Sequence, residues 1–356
     1  MQKKNINFEI KIKDKTISRD SPIFIIAELS ANHKQDIELA KDTICAMKES
    51  GADAVKLQTY TPDTITIDCD NEYFRIKQGT IWDGKTLYQL YQEAYTPWDW
   101  HQELKEFAEK QGLVFFSTPF DKTAVDFLEK LNVPVYKIAS FEITDIPLIE
   151  YAASKGKPII ISTGIATYND IQLAIEACKN EGNDQVILLK CTSAYPAPIE
   201  EANLQTIPDM QDKFKCMVGL SDHTPGVAVP IAAVALGAKI IEKHFILSKS
   251  IDSPDKTFSL TPEDFKLMVT SVREVEKALG KVSYELTEKI KKSREFSRSL
   301  FAVEDIKPGE ILTINNVRSI RPGYGLHPKY LKEIINMKAR VNIKKGTPLD
   351  WNLIEK

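Results

Sequence analysis

Two histidines end consecutive apolar runs and could share a metal ion. His223 closes the run that begins at Gly219, and His244 closes the run that begins at Ile240. Neighbouring strand ends can bring two imidazoles to one cation, although a histidine in such a place can equally be a hydrogen-bonded core or catalytic residue. With water and substrate oxygens as further ligands, two neutral nitrogens suit Mn2+, or alternatively Mg2+ or Co2+, better than a closed thiolate zinc site.

Two lysines end other apolar runs, and polar side chains accompany them. Lys56 and Lys137 would supply cations, which together with hydroxyl groups favour a small substrate that bears phosphate and carboxylate. Salt bridges between strands and Schiff-base chemistry of the aldolase type remain alternatives. The accompanying residues are Gln58, Ser117, Thr118, Ser140, Ser162 and Ser221.

Two carboxylates, Glu28 and Glu142, follow apolar runs of the same kind. One of them could move a proton on an attacking or leaving oxygen while the other orients a sugar. For each, an ion pair with a neighbouring lysine is the structural alternative.

The apolar runs themselves predict the fold that would bring these residues together. Eight short runs alternate with stretches of 3.6-residue periodicity, which is typical of parallel strands joined by crossover helices. We therefore predict an α/β fold, a TIM (β/α)8 barrel, with its active site at the carboxyl ends of the strands. The runs are Ile23 to Ala27, Ala54 to Leu57, Val114 to Phe116, Val135 to Ile138, Pro158 to Ile161, Val186 to Leu189, Met217 to Leu220 and Ile240 to Ile241.

Capping residues and alternation predict further elements. Ile6, Phe8, Ile10 and Ile12 alternate with polar residues, which indicates an N-terminal β-hairpin. One crossover helix should follow the N-cap Asp36 and stop before Gly51, and a later helix should follow the N-cap Thr261 and stop before Gly280. The predicted inward side chains of the later helix are Phe265, Met268, Val272, Val275 and Leu279.

The connection after the second run, from Thr59 to about Trp100, is long and rich in aromatic residues. Loops of this length in barrels usually cover the site, whereas helical spacing around Leu90 predicts that part of the aromatic content is ordinary packing. We expect Arg75 and the turn from Gly79 to Gly84 to face a substrate.

The residues after the barrel follow a different pattern. Tyr284 to Ser299 is charged and predicts a helical linker, and Asp305 to Leu312 returns as Asn342 to Leu349 in an internal repeat with a glycine turn. We therefore predict a barrel domain over residues 1–282, a linker over 283–298 and a small domain over 299–356.

Composition argues against polymer and membrane partners. The chain of 356 residues is 43% hydrophobic, with a formal net charge of -3 and a pI near 6.1, so it has no overall basic surface for nucleic acid. We see neither a signal-peptide pattern nor an apolar stretch that would span a bilayer. Five cysteines without close pairing suit a reducing cytoplasm.

At the residues described above, the chain resembles the sialic acid (nonulosonic acid) synthase family, which condenses phosphoenolpyruvate with an aldehyde sugar. The tail, with Ser299 to Ala302 and Ile320 to Gly325, resembles the antifreeze-like (SAF, β-clip) domain of that family. The matching barrel stretches are Ile26 to His33, Gly51 to Gln58, Phe116 to Phe120, Tyr136 to Glu142, Ile161 to Gly164, Cys191 to Pro196, Gly219 to His223 and Glu242 to Phe245.

The resemblance implies a role for each matching residue. His223 and His244 would bind the divalent ion, and the catalytic group would comprise Glu28, Glu142, Lys56 and Lys137. Glu28 would also face the sugar. Its partners there would be Tyr195, Asp255 and Arg321. Phosphoenolpyruvate would lie among Lys56, Thr118, Lys137, Ser140, Ser162, Ser193 and Ser221, where Ser193 replaces an asparagine of the sialate enzymes.

Two further segments, Gly79 to Tyr88 and Ala94 to Trp98, resemble the pseudaminic acid branch of the family. Its sugar is 2,4-diacetamido-2,4,6-trideoxy-L-altrose, and its product serves flagellin glycosylation. The family also implies a domain-swapped homodimer in which Arg321 enters the partner's pocket. Alternatives are sialic or legionaminic acid synthesis, a Schiff-base aldolase that uses Lys56 or Lys137, and a non-catalytic sugar-binding barrel.

Overall fold

The computed structural model describes residues 9–77, 79 and 82–355. The chain divides into two compact units, Met1–Gly280 and Lys281–Lys356. In the described part of the chain, no helix is both long and apolar enough to cross a membrane.

The first unit contains a closed barrel of eight parallel strands, which confirms the predicted fold class. Each predicted apolar run overlaps a strand, although Ile23, Val135 and Pro158 lie just before theirs. Most strands continue past the run into polar residues, because backbone pairing does not require apolar side chains. The barrel closes by pairing of its last strand with its first. The strands are β3 (Phe24–Glu28), β4 (Ala54–Thr59), β5 (Val114–Pro119), β6 (Tyr136–Ile138), β7 (Ile159–Ser162), β8 (Val186–Cys191), β9 (Met217–Asp222) and β10 (Ile240–His244).

An antiparallel hairpin of β1 (Glu9–Ile12) and β2 (Lys15–Ser18) precedes the barrel, as the alternation predicts. Ile10, Ile12 and Ile17 are buried and pack into the same core as the barrel strands. Ile6 and Phe8, which belong to the predicted pattern, lie outside the described residues.

Helices follow most strands and cover the barrel. Asp36 caps α1 through the amides of Glu38 and Leu39, and Thr261 caps α10, as predicted. Leu279 is wrongly predicted as inward: it is 51% exposed, because the helix ends beside it at Gly280. The helices are α1 (Ile37–Glu49), α2 (Pro62–Ile65), α3 (Leu87–Ala94), α4 (Trp100–Lys110), α5 (Lys122–Lys130), α6 (Ile146–Ala153), α7 (Tyr168–Asn180), α8 (Thr206–Phe214), α9 (Ala228–Ala235) and α10 (Pro262–Leu279), with 3₁₀ turns at Phe141–Thr144 and Ile199–Glu201.

The long connection between β4 and α4 includes α2 and α3, with Leu90 buried as the helical spacing predicts. Arg75, expected to face a substrate, makes an exposed ion pair with Asp70 at 2.5 Å between Nε and Oδ1. Thr80 and Ile81 of the predicted substrate-facing turn lie outside the described residues.

The second unit is a small β-rich fold with its own core, which includes Leu300, Ile306, Leu312 and Ile343. The two copies of the internal repeat pair with each other, since Ile306 and Ile343 exchange backbone hydrogen bonds of 2.8 Å. The segment predicted as one helix, residues 284–299, is helical over only part of its length. The elements are α11 (Glu288–Ser293), α12 (Leu331–Ile334), β11 (Ser299–Ala302), β12 (Val317–Ile320), β13 (Lys338–Ala339) and β14 (Ile354–Glu355), with 3₁₀ turns at Arg294–Phe296, Pro328–Tyr330 and Trp351–Leu353.

Candidate active site

Strand register places the predicted charged residues on one face of the barrel wall. Glu28 is paired with Lys56 on one side and with His244 on the other, and Ser221 is paired with Glu242. Directly paired residues project to the same face of a sheet, and side chains alternate along each strand. These residues therefore line the inside of the barrel at the carboxyl ends of its strands.

Glu28, at the end of β3, is the centre of the first polar group. Its Oε2 lies 2.5 Å from Nζ of Lys56, and both side chains are buried. Gln58 donates to Oε1 of Glu28 at 3.3 Å and to Oγ of Ser30 at 2.9 Å. Lys56 also donates to Oγ1 of Thr118 at 3.2 Å. The fold thus brings together four predicted residues from the ends of three strands.

Lys137, on β6, is the centre of the second polar group. It donates to Oγ of Ser162 at 2.7 Å and is fully enclosed in the barrel. Oε1 of Glu242 lies 3.7 Å from Nζ of Lys137 and 3.9 Å from Nζ of Lys56, so one carboxylate faces both lysines. The same oxygen accepts a hydrogen bond from Ser221 at 2.9 Å.

The charges in this pocket are strongly coupled. Burial raises the pKa of Glu28 to about 7, although Lys56 opposes that shift. Burial also lowers the pKa of Lys137, and Glu242 is the largest opposing influence. For Glu242, burial acts upward on the pKa, but Lys137 and Lys56 outweigh it and hold the pKa below its ordinary value. Burial acts downward on the pKa of Lys56, but Glu242 and Glu28 outweigh it and raise that pKa, so the pocket keeps this ammonium group charged for an anion.

The two histidines predicted as metal ligands lie side by side, with ring centroids 5.3 Å apart. Nδ1 of His223 is 3.1 Å from the carbonyl oxygen of Thr192, which favours a proton on Nδ1, so that Nε2 carries the lone pair whenever the ring is neutral. Burial acts downward on the pKa of His223, but Cys191 and Thr192 outweigh it and raise that pKa. Burial and the neighbouring His223 hold the pKa of His244 well below its usual range, so its ring is neutral. Nδ1 of His244 is buried and has no hydrogen-bond partner among the described residues.

These features fit a divalent ion held by two nitrogens. Within residues 9–77, 79 and 82–355, no group of three or more histidine, cysteine or carboxylate side chains forms a metal cage. The carboxylate of Asp255 approaches Nδ1 of His244 to 3.6 Å. Most of the coordination shell would consequently come from water and substrate, as an open catalytic site requires.

Aromatic rings border the histidines. Tyr195 lies 4.5 Å from His223, and Phe258 lies 4.8 Å from His244, measured between ring centroids. Trp82, in the long connection, lies 5.8 Å from Tyr195. An apolar wall therefore adjoins the polar pocket on the side where Tyr195 and Asp255 were predicted to meet a sugar.

Ser140 and Ser193 meet at Gly164, just after β7. The amide of Gly164 donates to Oγ of Ser140 at 3.1 Å. A Cβ atom at Gly164 would lie 2.1 Å from Oγ of Ser193 and 2.8 Å from Oγ of Ser140, so only glycine lets the strand end approach both hydroxyls.

Glu142 lies in the 3₁₀ turn after β6, and its Oε2 is buried without a hydrogen-bond partner in the described structure. Burial raises the pKa of Glu142 to about 7. A carboxyl group with this pKa can give or take a proton near neutrality, which suits the predicted acid/base role.

One predicted residue, Ser117, faces away from the pocket, and another, Arg321, belongs to the second unit. Ser117 was expected at the rim, but it bonds Thr59 at 2.7 Å within a buried network that includes His101, because β5 turns Thr118 inward and Ser117 outward. Arg321 follows β12 in the second unit and is exposed.

Glu242 and Cys191 are two inward-facing residues that the sequence analysis did not assign to the site. Period-two alternation gives the signal for Glu242, since it lies two residues before His244 on β10. Cys191 ends β8 with its Sγ 3.8 Å from Nδ1 of His223. Burial acts against ionisation of this thiol, but His223, Ser140 and Lys137 together outweigh it and lower the pKa of Cys191 to about 7.

Comparisons with known proteins show which family the chain belongs to. The model of the NeuB family matches residues 43–284, and that of the SAF domain matches residues 297–355. Pseudaminic acid synthase of Helicobacter pylori is 51% identical over 94% of this chain and 98% of its own length, and that of Campylobacter jejuni serotype O:2 is 49% identical over 93% and 96%. The crystal structure of an N-acetylneuraminic acid synthetase from Leptospira borgpetersenii, in complex with citrate, superposes with a TM-score of 0.72 at 32% identity, covering 82% of this chain and 96% of that one. The chain therefore belongs to the NeuB family, the family that its strand-end motifs resemble.

Proposed function

We propose that this enzyme condenses phosphoenolpyruvate with 2,4-diacetamido-2,4,6-trideoxy-L-altrose and water, giving pseudaminic acid and phosphate. The observation that carries the proposal is the near-complete match to a pseudaminic acid synthase at about half identity. The pocket supports it chemically, because two buried lysines and several hydroxyls suit an anion with a phosphate and a carboxylate.

The reaction forms one carbon–carbon bond and one carbon–oxygen bond to water, and it breaks the carbon–oxygen bond to phosphate. C3 of phosphoenolpyruvate attacks the aldehyde carbon of the open-chain sugar, and water adds to the resulting cation at C2. The tetrahedral intermediate then loses phosphate by C–O cleavage. Lys56 and Lys137 hold the phosphate and carboxylate charges, and the fixed register of the two reactants supplies much of the barrier reduction.

Hydroxyl and amide groups complete the binding of phosphoenolpyruvate in this proposal. Thr118 and Ser162 already bond the two lysines, at 3.2 and 2.7 Å, so they fix the ammonium groups in place. Ser140 and Ser193 flank the glycine at the end of β7. Ser221 bonds Glu242, which itself faces both lysines.

Proton transfer falls to the carboxyl groups. Glu142, with its pKa raised to about 7 and a buried free oxygen, acts on the water or the leaving oxygen beside phosphoenolpyruvate. Glu28 orients the sugar together with Gln58, to which it is hydrogen-bonded. Tyr195 and Asp255 bound the sugar from the histidine side.

His223 and His244 hold a divalent cation, Mn2+ in the first instance and Mg2+ or Co2+ as alternatives. When bound, such an ion draws electron density from the sugar carbonyl and favours attack on its carbon. The hydrogen bond from Nδ1 of His223 to Thr192 fixes the tautomer that this role needs.

The second unit contributes Arg321 to the sugar site of a partner subunit, in a domain-swapped homodimer. A diluted monomeric form should therefore lose turnover, measured as phosphate release against concentration alongside sedimentation. Full turnover by the monomer would contradict the dimer proposal. The five free cysteines suit reaction in the cytoplasm, and flagellin glycosylation is the proposed destination of the product.

A panel assay tests the function. Purified protein receives phosphoenolpyruvate, Mn2+ and one of three sugars, namely the pseudaminic, legionaminic and sialic acid precursors, while phosphate release is followed. We expect the trideoxy-altrose to give the highest kcat/KM. A preference for N-acetylmannosamine or the legionaminic precursor would replace the pseudaminic assignment.

Two controls separate the other reaction classes. EDTA should stop turnover and added Mn2+ should restore it, whereas a Schiff-base aldolase on Lys56 or Lys137 would be trapped covalently by borohydride with substrate. A sugar-binding barrel without activity would release no phosphate in any arm of the assay.

A further inference from the structure

We propose that Glu242 is a positioning residue that holds Lys56 and Lys137 together as one receptor for the two negative groups of phosphoenolpyruvate. The inference rests on the proposed function for the identity of the anion. It concerns a residue that makes no assigned contact with either substrate and whose place in the pocket follows from the geometry alone.

The first argument is the position of one oxygen. Oε1 of Glu242 lies 3.9 Å from Nζ of Lys56 and 3.7 Å from Nζ of Lys137, on different strands of the barrel. Both ammonium groups are buried, and like charges in such surroundings repel strongly. A fixed negative charge that faces both lysines offsets this repulsion and keeps both ammonium groups directed into the same space.

The second argument is how Glu242 is held. Ser221 donates to Oε1 at 2.9 Å, and the carboxylate lies on β10 directly beside Ser221 on β9, so strand register fixes it. Each lysine also has anchors of its own: Lys56 bonds Thr118 and lies 2.5 Å from Oε2 of Glu28, and Lys137 bonds Ser162. The contacts to Glu242 are longer than those to the anchors, so an incoming anion can take over the lysines without breaking a close ion pair at Glu242.

A simpler electrostatic role makes the opposite prediction. If Glu242 only opposed the anion as a neighbouring negative charge, its neutralisation would tighten binding of phosphoenolpyruvate. If it positions the lysines, neutralisation weakens binding, because a neutral amide oxygen in the place of Oε1 offsets the repulsion between the two ammonium groups far less than a carboxylate oxygen does.

The experiment compares Glu242→Gln with the wild-type protein by calorimetric titration of phosphoenolpyruvate, without sugar. We expect Glu242→Gln to bind phosphoenolpyruvate about tenfold more weakly, because removing one partner of a buried charge pair usually weakens binding by at least that factor. With turnover, KM for phosphoenolpyruvate should rise while KM for the sugar stays unchanged. Equal or tighter binding by Glu242→Gln would overturn the proposal.

Two further variants serve as controls for this experiment. Glu242→Asp keeps the charge but shortens the side chain, so its affinity for phosphoenolpyruvate should lie between those of the wild type and Glu242→Gln. This variant still tests the proposal if Glu242→Gln does not fold. Binding by Glu242→Asp that equals the wild type would also count against positioning. Glu129→Gln is the matched control, because Glu129 pairs with Lys157 and Tyr136 away from the pocket, at 2.8 and 2.5 Å.

Failure of the proposed function gives a different pattern. If the wild-type protein binds phosphoenolpyruvate but releases no phosphate with any sugar, the proposed reaction is wrong. The titration of Glu242→Gln then still decides whether Glu242 positions the two lysines. If the wild-type protein does not bind phosphoenolpyruvate, both proposals are wrong.

Discussion

The pair of strands β9 and β10 carries one buried carboxylate on each face, and each of the two carboxylates faces lysine. The two groups differ in how many of their polar atoms have hydrogen-bond partners. On the outward face, Lys243 donates to Asp222 and to the carbonyl oxygen of Thr224, and Asp222 also accepts from Thr224 at 3.1 Å. On the inward face, Glu242 faces its lysines at 3.7 and 3.9 Å, and its Oε2 has no hydrogen-bond partner among the described residues.

The difference separates a structural ion pair from a site. A buried polar atom without a partner costs free energy, so a native protein keeps few of them unless a ligand or a reaction uses them. Glu142 and His244 share this property with Glu242 at the same end of the barrel. Residue type alone does not distinguish the two faces, because glutamate or aspartate and lysine occur on both.

The largest effect should follow removal of an inward histidine. We expect His244→Ala and His223→Ala each to lower kcat by about a thousandfold or more while the fold is kept, because they remove the nitrogens proposed to hold the ion. Phosphate release and circular dichroism would measure the two outcomes. Substantial activity in either variant would remove the metal from the mechanism.

Breaking the outward ion pair of Lys243 and Asp222 should lower the stability of the fold and leave catalysis largely unchanged. Lys243→Met leaves Asp222 buried without its cation, which should lower the free energy of unfolding by about 3 kcal/mol. Urea denaturation would measure the loss, and kcat of the protein that remains folded should change little. A large fall in kcat with unchanged stability would show that the outward face also takes part in catalysis.

Strand β5 shows how much of the site can be predicted from the sequence and how much cannot. Strand ends, caps and the family motifs predict the barrel, the histidine pair and the lysines, because a parallel barrel brings the carboxyl ends of distant strands together. Choosing between adjacent polar residues is harder. Ser117 and Thr118 are both small hydroxyl residues, and only the register shows that Thr118 faces Lys56 while Ser117 faces Thr59.

Other parts of the molecule depend on packing that a local pattern does not encode. Leu279 fits the apolar stripe of α10 but lies at its exposed end. Cys191 has no cysteine close to it in the sequence that would indicate a role, yet its strand end places it against His223. Both outcomes depend on which elements meet at those positions, and this follows from the three-dimensional fold.

Glu142 allows the cost of an unsatisfied group to be measured. Its pKa is about 7 in the folded protein, against an ordinary value of 4.5, so the folded state prefers the neutral form. Stability attached to this group is present below about pH 4.5 and is lost as the pH rises through 7. Glu142→Gln removes that loss and should stabilise the protein by about 1–3 kcal/mol at pH 8, with no gain at pH 4.5.

The same variant should lower kcat by about a hundredfold, since general acid–base catalysis contributes on that scale. Thermal melting and phosphate release at both pH values test the pair of expectations. Loss of stability at pH 8 in Glu142→Gln would mean that the ionised carboxylate is stabilised in the fold, and the catalytic argument would lose its physical basis.

The smallest expected effect concerns the aromatic wall, where packing replaces charge. Trp82 touches Tyr195, which in turn lies against His223, so the indole is one ring removed from the proposed ion. The C6 methyl group of the trideoxy sugar gains about as much binding free energy from an apolar neighbour as one buried methylene provides. The C6 hydroxyl group of N-acetylmannosamine gains no such free energy. Trp82→Ala should therefore narrow the preference for the trideoxy sugar over N-acetylmannosamine by about tenfold in kcat/KM. Tyr168→Ala, at a residue that stacks on Phe214 instead, is the control. An unchanged ratio in Trp82→Ala would assign the selectivity to the polar residues around Glu28, because the wall would then contribute packing without recognition.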